Sequence, residues 1–481
     1  MRTREPLLMS TTTLYPCYIG ADAVKTDSVA SVVNPYNREE FARVCQAGPE
    51  ELSRAAALAE SAWRQGATRQ QRSAWLQAIA QGITAEADEF TRLIVAEAGK
   101  PVQYARAEVQ RAIATFSLAA AEALVFAGEE VPLDAAAAGQ GYLGFSRRVP
   151  AGPVAAISPF NFPLNLVAHK VAPGLAAGCP VVAKPAPATP LTALKLAEVA
   201  RAAGVPSGWL SVLPMDNVHA PLMLEDDRLR VLSFTGSDKV GWQLKARAGP
   251  RKVLLELGGN APVVVHSDAD LDFAVPRLAV GGYSYAGQVC ISVQRVLVHR
   301  PIYSEFLERY RHSVEQLPVG DPSEERTVCG PLIHPREVER IADWVDKARA
   351  GGARVVCGGV ADSPFYSPTV LENVPPEAEV SRCEVFGPVT VVAPYEDFDE
   401  ALARANDSPF GLQVGVFTRD LERVLQSFDL LEFGGIVVND YPTFRVDNMP
   451  YGGVKASGFG REGVRYAMEE MSDIRLLAIR R

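Results

Sequence analysis

Val154-Ala155-Ala156-Ile157-Ser158, Val181-Val182-Ala183-Lys184, Trp209-Leu210-Ser211-Val212-Leu213 and Leu229-Arg230-Val231-Leu232-Ser233-Phe234 are four short apolar runs whose spacing decides the fold. None alternates apolar with polar residues over its length, so each reads as a strand covered on both faces. Helical periodicity fills the gaps, to about Ala177 after the first run and over Leu191–Ala203 after the second. Val253-Leu254-Leu255-Glu256 begins a fifth strand. Apolar strands alternating with helices predict an α/β fold with a parallel, doubly wound sheet. A second α/β pattern runs from about 262 to 440, and 481 residues are too many for one core, so two major lobes are expected.

Outward from that block the patterns change. Residues 50–65, 69–98 and 101–127 carry apolar positions at helical spacing, punctuated by Gly66, Gly99 and Pro101. Residues 128–148 break the rhythm with Gly128, Pro132, four alanines, Gly139 and Gly141 before Tyr142-Leu143-Gly144-Phe145-Ser146, the signature of a β-hairpin arm. The net charge of −9 argues against a nucleic-acid partner. No stretch of about 18 residues is apolar enough to span a membrane, and residues 1–12 hold too short an apolar segment for a signal peptide; a cytoplasmic location is the expectation. Seven dispersed cysteines without a CxxC pair fit a reducing compartment. Six dispersed histidines without HExxH give no reason to expect a metal.

Ligands of such sheets bind at the carboxyl ends of the strands. There stand Ser158-Pro159-Phe160-Asn161, Lys184-Pro185-Ala186, Phe234-Thr235-Gly236-Ser237 and Glu256-Leu257-Gly258-Gly259. One lip thus collects an amide, an ammonium, a turn opening a helix and a carboxylate, the furnishing of a dinucleotide pocket. Thr235-Gly236-Ser237 can face a pyrophosphate with its backbone N–H groups, or be an ordinary turn capped by Ser237. Lys184 reads as a ribose ligand or a solvated surface lysine. Gly458-Phe459-Gly460-Arg461-Glu462-Gly463 satisfies GxGxxG, yet follows no apolar strand and is rejected as a dinucleotide fingerprint. Cys290 lies in Tyr285-Ala286-Gly287-Gln288-Val289-Cys290-Ile291-Ser292, where Gly287 permits close approach to a ligand before a strand over Ile291–His299. Its alternative is a small buried hydrophobe, which is how Cys45, Cys179, Cys329, Cys357 and Cys383 read.

Seven segments together resemble the aldehyde dehydrogenase superfamily over essentially the whole chain. In order they are Ser158-Pro159-Phe160-Asn161-Phe162-Pro163, Lys184-Pro185-Ala186, Phe234-Thr235-Gly236-Ser237 and Glu256-Leu257-Gly258-Gly259-Asn260, then Gly287-Gln288-Val289-Cys290, Glu384-Val385-Phe386-Gly387-Pro388 and Pro450-Tyr451-Gly452-Gly453. The resemblance implies a Rossmann-type cofactor domain (1–127 and 149–256), a second α/β catalytic domain (257–440), a β oligomerisation arm (128–148 and 468–481) and a return segment (441–467). It implies oxidation of an aldehyde to a free acid, with NAD or NADP as coenzyme, in a homodimer or homotetramer. Cys290 is then the nucleophile, Asn161 an oxyanion donor with the Cys290 N–H, and Glu256 the general base; Lys170 and Glu462 relay protons away from it. Ser158, Pro159, Phe160, Lys184, Ala186, Thr235, Gly236, Ser237, Leu257, Glu384 and Phe386 are the implied coenzyme contacts.

Departures from the family pattern bear on specificity. Pro187 stands where many NAD-preferring members carry a ribose-binding glutamate, so both coenzymes remain open. Residues 439–448 resemble those of a subgroup that handles small polar or anionic aldehydes, of the lactaldehyde or semialdehyde type. Arg445 or Arg106 is a candidate for pairing with a substrate anion, although pairing of Arg445 with Asp447 or Asp440 explains it equally. Phe162, Val289 and Phe444 are further candidates for the substrate pocket. Two other functions compete: a cofactor-independent thiol esterase built on Cys290 and Glu256, and a silent binding protein of the same fold.

Overall fold

The structure is a computed structural model that describes residues 13–481; the leader reading of residues 1–12 lies outside the described residues. Val154–Ile157, Val181–Lys184, Leu210–Val212, Val231–Thr235 and Lys252–Glu256 form the parallel centre of an eight-stranded sheet. Val154–Ile157 pairs with Val181–Lys184 on one side and Val231–Thr235 on the other. The chain therefore winds outward in both directions from its first strand, which leaves a crevice at the strand ends. Antiparallel strands close the edges, Cys17–Ile19 against Leu210–Val212 and Gly458–Phe459 against Lys252–Glu256. The rejected GxGxxG run thus begins in an edge strand.

The second sheet has seven strands, Ala261–Val265, Val293–His299, Thr369–Glu372, Val389–Tyr395, Gln413–Phe417 and Gly435–Val438 in parallel, with Arg354–Cys357 antiparallel at one edge. The arm is a third sheet. Tyr142–Pro150 pairs antiparallel with Glu130–Val131 and with Ser472–Arg480, so the hairpin of 128–148 acquires the chain's last strand. Among the described residues no helix is long and apolar enough to cross a membrane.

Three local expectations change. Residues 69–98 form two helices, Arg69–Ala85 and Ala87–Ala98, because Glu86 leaves helical geometry while its N–H still bonds Gly82 O. Periodicity alone does not register a one-residue break. Ile291 and Ser292 belong to a turn, Ser292 N–H bonding Val289 O, and the strand starts at Val293. Cys383 is exposed rather than buried.

Buried glutamates on the amino-terminal helices seat the helices of the first sheet. Asn165–Ala177 and Leu191–Ala202 begin without a side-chain cap of their own, leaving N–H groups that need acceptors. Glu108 accepts from Leu164 N (2.9 Å) and Asn165 N (3.1 Å), and Glu97 accepts from Leu191 N (2.7 Å) and Thr192 N (3.0 Å). Each carboxylate also sits at the positive end of a helix dipole. Glu108 is further paired with Lys100, equally buried, whose ammonium lies 3.5 Å from the centre of the Phe162 ring. This cluster clamps the turn that carries Asn161. Glu108→Ala strands a buried ammonium and two helix N–H groups, and is expected to cost about 3–5 kcal/mol, read as a lower guanidinium midpoint than that of wild type.

Candidate active site

The crevice at the ends of the first sheet is a cavity of about 1020 Å³. Ser158, Pro159, Phe160, Lys184, Ala186, Thr235, Gly236, Ser237 and Phe386 line it, together with Pro187 and Arg247. Lys184 is buried, not a surface lysine; its Nζ donates to Asn217 Oδ1 (3.2 Å), and burial lowers it to about 8. Ser237 caps the helix Asp238–Arg247 as the turn reading requires. That helix packs so closely on Leu257 that a Cβ at Gly241 would collide with the leucine side chain. Phe386 adopts a left-handed φ of 48° and meets Phe160 edge-on, with ring centres 5.8 Å apart.

Two glycines let the second sheet close against the first. A Cβ at Gly258 would lie 2.5 Å from Glu384 Oε2, and one at Gly259 would strike the Cys290 carbonyl. Glu384 accepts from Gly259 N (3.1 Å), and burial pushes its carboxyl up to about 8. Cys290 follows three successive left-handed residues, Tyr285 (φ 54°), Ala286 (φ 54°) and Gly287 (φ 68°). For the first two that conformation costs about 1–2 kcal/mol each. The Tyr285 hydroxyl, donating to Ala98 O at 3.0 Å, and Tyr285 N, donating to Val328 O at 2.9 Å, hold the turn. Gly287 faces the Gly387 carbonyl rather than a ligand, so the close approach that requires glycine is made by backbone.

Around the thiol the two lobes meet. Cys290 Sγ lies 3.4 Å from the Tyr451 hydroxyl, which donates to Glu256 Oε1 at 3.3 Å. Burial and then the Glu256 charge raise the Cys290 thiol well above its usual value. Burial, then the Glu462 charge, lifts Glu256 to about 7. Asn161 Nδ2 donates to Gln288 O (2.9 Å), which leaves its second amide hydrogen uncommitted. Phe162 and Val289 pack beside Cys290, whereas Phe444 is half exposed.

Behind the thiol sits a buried ionic cluster. Lys170 Nζ donates to Thr235 Oγ1 (2.6 Å) and Glu462 Oε1 (3.2 Å). Arg445 pairs with Glu462 Oε2 (2.9 Å) and His169 Nδ1 (2.8 Å), and lies 3.7 Å from the centre of the Tyr451 ring. Its partner is thus neither Asp447 nor Asp440. Asp440 is taken by Arg277, and Asp447 by His169 Nε2 (2.9 Å), Thr115 Oγ1 (2.7 Å) and Arg111 Nη2 (3.2 Å). Nearby positive charge, led by His169, and hydrogen bonds hold Asp447 well below the usual carboxylate range against its burial. Arg106 does not join the site; it forms an exposed pair with Glu325. Arg111, His169 and Tyr451 carried no assigned role in the sequence, and Asp447 was considered only as a partner for Arg445. Tyr451 was visible inside the Pro450–Gly453 segment, but Arg111 left no signal beyond being one arginine on a long helix.

With this geometry in place, comparison with known proteins becomes specific. The sequence profile described as "Aldehyde dehydrogenase family" matches residues 23–477. The chain belongs to the aldehyde dehydrogenase family. It is accordingly an oxidoreductase. A 3-sulfolactaldehyde dehydrogenase of Priestia aryabhattai is 42% identical, over 97% of this chain and 98% of that protein. The structure of aldehyde dehydrogenase 21 from Physcomitrella patens, in complex with the reaction product succinate, superposes with a TM-score of 0.96 at 42% identity, covering 98% of this chain and 99% of the other. A glyceraldehyde-3-phosphate dehydrogenase of Methanocaldococcus jannaschii, complexed with NADP, superposes at 0.91 with 38% identity, covering 95% of this chain and 100% of the other.

Glu384 gives a test of this geometry in coenzyme-free protein. Its folded value of about 8 stands above the ordinary 4.5, so burial disfavours its ionised form. The stability tied to keeping it protonated is full below about pH 4.5 and is lost as pH rises through about 8. Glu384→Gln is therefore expected to gain stability, read as unfolding midpoint, relative to wild type as pH rises across that window, and an unchanging difference would contradict a carboxyl partly withdrawn from solvent.

Proposed function

We propose that this protein oxidises a small anionic aldehyde to the carboxylic acid through a thioester on Cys290, using NAD or NADP. The observation that carries the mechanism is the grouping of a thiol and a carboxyl, Cys290 and Glu256, about the Tyr451 hydroxyl, with the Asn161 amide held at Gln288 two residues from the thiol, next to a cavity of dinucleotide size lined by Phe160 and Gln288. The cavity's lining suits that coenzyme: Lys184 and the helix start at Ser237 would meet its ribose and phosphate oxygens, and Glu384, two residues from the lining Phe386, would offer a carboxyl oxygen to ribose hydroxyls. When bound, the coenzyme supplies the acceptor for the aldehyde hydrogen, taken as hydride.

The chain's own groups perform the rest. Cys290 Sγ adds to the aldehyde carbon, and the free hydrogen of the Asn161 amide, with the Cys290 N–H, stabilises the oxyanion. After the hydrogen leaves, Glu256 takes a proton from the water that attacks the thioester. Lys170 and Glu462 offer that proton a route away from Glu256. An esterase reading leaves the large cavity and its buried Lys184 without use. The arm's final strand exposes Ile474, Leu476, Leu477 and Ile479, which supports a homo-oligomer built on it.

The anionic class rests on charge. Arg111, Arg445 and Lys170 face Asp447 and Glu462, held charged, and Glu256, largely protonated below about 7. The cations exceed the fixed anions, and both Arg111 Nε and Arg445 Nε are buried without a partner. A buried unpaired guanidinium N–H costs free energy that an anion relieves. The named relatives act on, or bind, a sulfonate, a carboxylate and a phosphate respectively. Pro187, in the cavity wall, brings no carboxylate to repel a 2′-phosphate, so that position does not discriminate between the two coenzymes.

Reduced-coenzyme absorbance with sulfonated, carboxylated and neutral short aldehydes, against NAD and NADP separately, tests the whole reading. Turnover is expected to vanish in Cys290→Ala; turnover that survives would refute the thioester route. Arg111→Leu is expected to raise KM for the anionic aldehydes about ten- to a hundred-fold while leaving a neutral aldehyde unchanged. An equal change for both classes would remove the case for an anion site.

A further inference from the structure

We propose that the Tyr451 hydroxyl is a proton bridge that carries the Cys290 thiol proton to the Glu256 carboxylate and so arms the nucleophile. This rests on the thioester reading above and adds a catalytic residue to it. The geometry is a chain of two contacts: the thiol and the phenol oxygen lie 3.4 Å apart, where either can donate, and the phenol donates to Glu256 Oε1 across 3.3 Å. The thiol also lies close enough to Glu256 for a direct contact, and comparison with Tyr451→Phe separates the bridge from that direct route. In the transfer the S–H bond breaks as an O–H bond forms on Tyr451, and the phenol's own hydrogen moves to Glu256. The products are a thiolate, an intact phenol and a neutral carboxylic acid, with no electrons gained or lost.

Electrostatics favours this exchange over simple loss of the thiol proton. A thiolate beside a Glu256 carboxylate is opposed by burial and then by like charge. Handing the proton to Glu256 leaves one negative charge where there was one before. Burial, then the charges of Cys290 and Glu256, hold the Tyr451 phenol well above its usual value, so it passes a proton without keeping a charge. The groups facing the bridge are Arg445 over the ring, Glu384 on the thiol side, and Glu462 and Lys170 on the Glu256 side. Arg445, paired to Glu462, stays cationic and attracts the negative charge at either end of the bridge.

The bridge is also held still. Tyr451 is 1% exposed, and its backbone exchanges hydrogen bonds with Glu462, N to O at 3.0 Å and O to N at 2.6 Å. Removal of the hydroxyl alone keeps the ring under Arg445, so Tyr451→Phe separates proton transfer from packing.

The test is alkylation of Cys290 by iodoacetamide, followed by mass spectrometry of the Cys290 peptide, between about pH 5 and 10, in coenzyme-free wild type, Tyr451→Phe, Glu256→Gln and the double variant. Wild type should show an inflection near the Glu256 value of about 7. Tyr451→Phe should lose that inflection and react at least about tenfold more slowly at neutral pH. Glu256→Gln should lose it too, and the double variant should be no slower than Glu256→Gln alone. A Tyr451→Phe profile that matches wild type, or effects that multiply in the double variant, would overturn the bridge. Alkylation requires neither aldehyde nor coenzyme. Loss of the coupling with oxidation intact therefore sinks the bridge alone, whereas intact coupling without aldehyde oxidation sinks the proposed function and spares the bridge.

Discussion

Lys170 and Arg445 share a buried space with Glu462, Asp447 and Glu256, with Arg111 at its partly exposed margin, and everything at the thiol depends on how those charges offset one another. An isolated ion there would be disfavoured by several kcal/mol. Glu462 is the hub, because it answers both Lys170 and Arg445 and its backbone locks Tyr451 in place. Its charge lifts Glu256 toward neutrality, while Arg445 and Lys170 hold Glu462 well below the usual carboxylate range against its burial. Two carboxylates a short distance apart are thus driven to opposite protonation states, the condition under which one can serve as a base near neutral pH and the other as a fixed charge.

The lobes are joined by the same economy of contact. Glu256 ends a strand of the first sheet, and four residues later Asn260 leads into the second. Arg295 donates to Asn260 Oδ1 (2.6 Å), and Asn260 Nδ2 donates to Ser381 O (2.8 Å) and Cys383 O (3.0 Å). That fixes the loop bearing Glu384 against the glycines that admit it. The Cys290 turn is pinned from the opposite side by Ala98, at the end of a helix that also supplies the Glu97 cap. The amino-terminal helices therefore do more than cover a sheet, since they set where both the Asn161 turn and the Cys290 turn stand.

Much of this was legible in the sequence, and the limits have physical causes. Strands such as Val181–Lys184 announced themselves because burial on both faces removes polar alternation, and segments such as Glu256–Asn260 carried a family likeness through unusual residue types. The expected coenzyme residues from Ser158 to Ser237 do line one cavity. What stayed hidden depends on contacts far apart in the chain. Glu108 and Glu97 looked like ordinary helical glutamates until they reached across to cap other helices. Arg111 meets Asp447 across more than three hundred residues. Arg106, equally plausible by charge, points to solvent because its place on the helix faces outward. The Gly287 conformation was foreseeable as a need for glycine, but not that a carbonyl from residue 387 makes the demand.

The segment from Tyr441 to Glu462 adds to the large sheets only the two-residue edge strand Gly458–Phe459, on the first of them, while its Val454–Lys455 pairs with Phe410–Gly411 in a separate two-stranded sheet. Yet it places Tyr451 beside the thiol and Arg445 and Asp447 in the ionic cluster behind it. These residues are separated, along the chain, from those that line the large cavity and from those of the Cys290 turn. The registers of the two large sheets therefore owe little to this ribbon, which adds only its short edge strand to them. The same ribbon also carries Tyr451 and Glu462, so the wall of the pocket and the partners of the thiol are inherited as one piece.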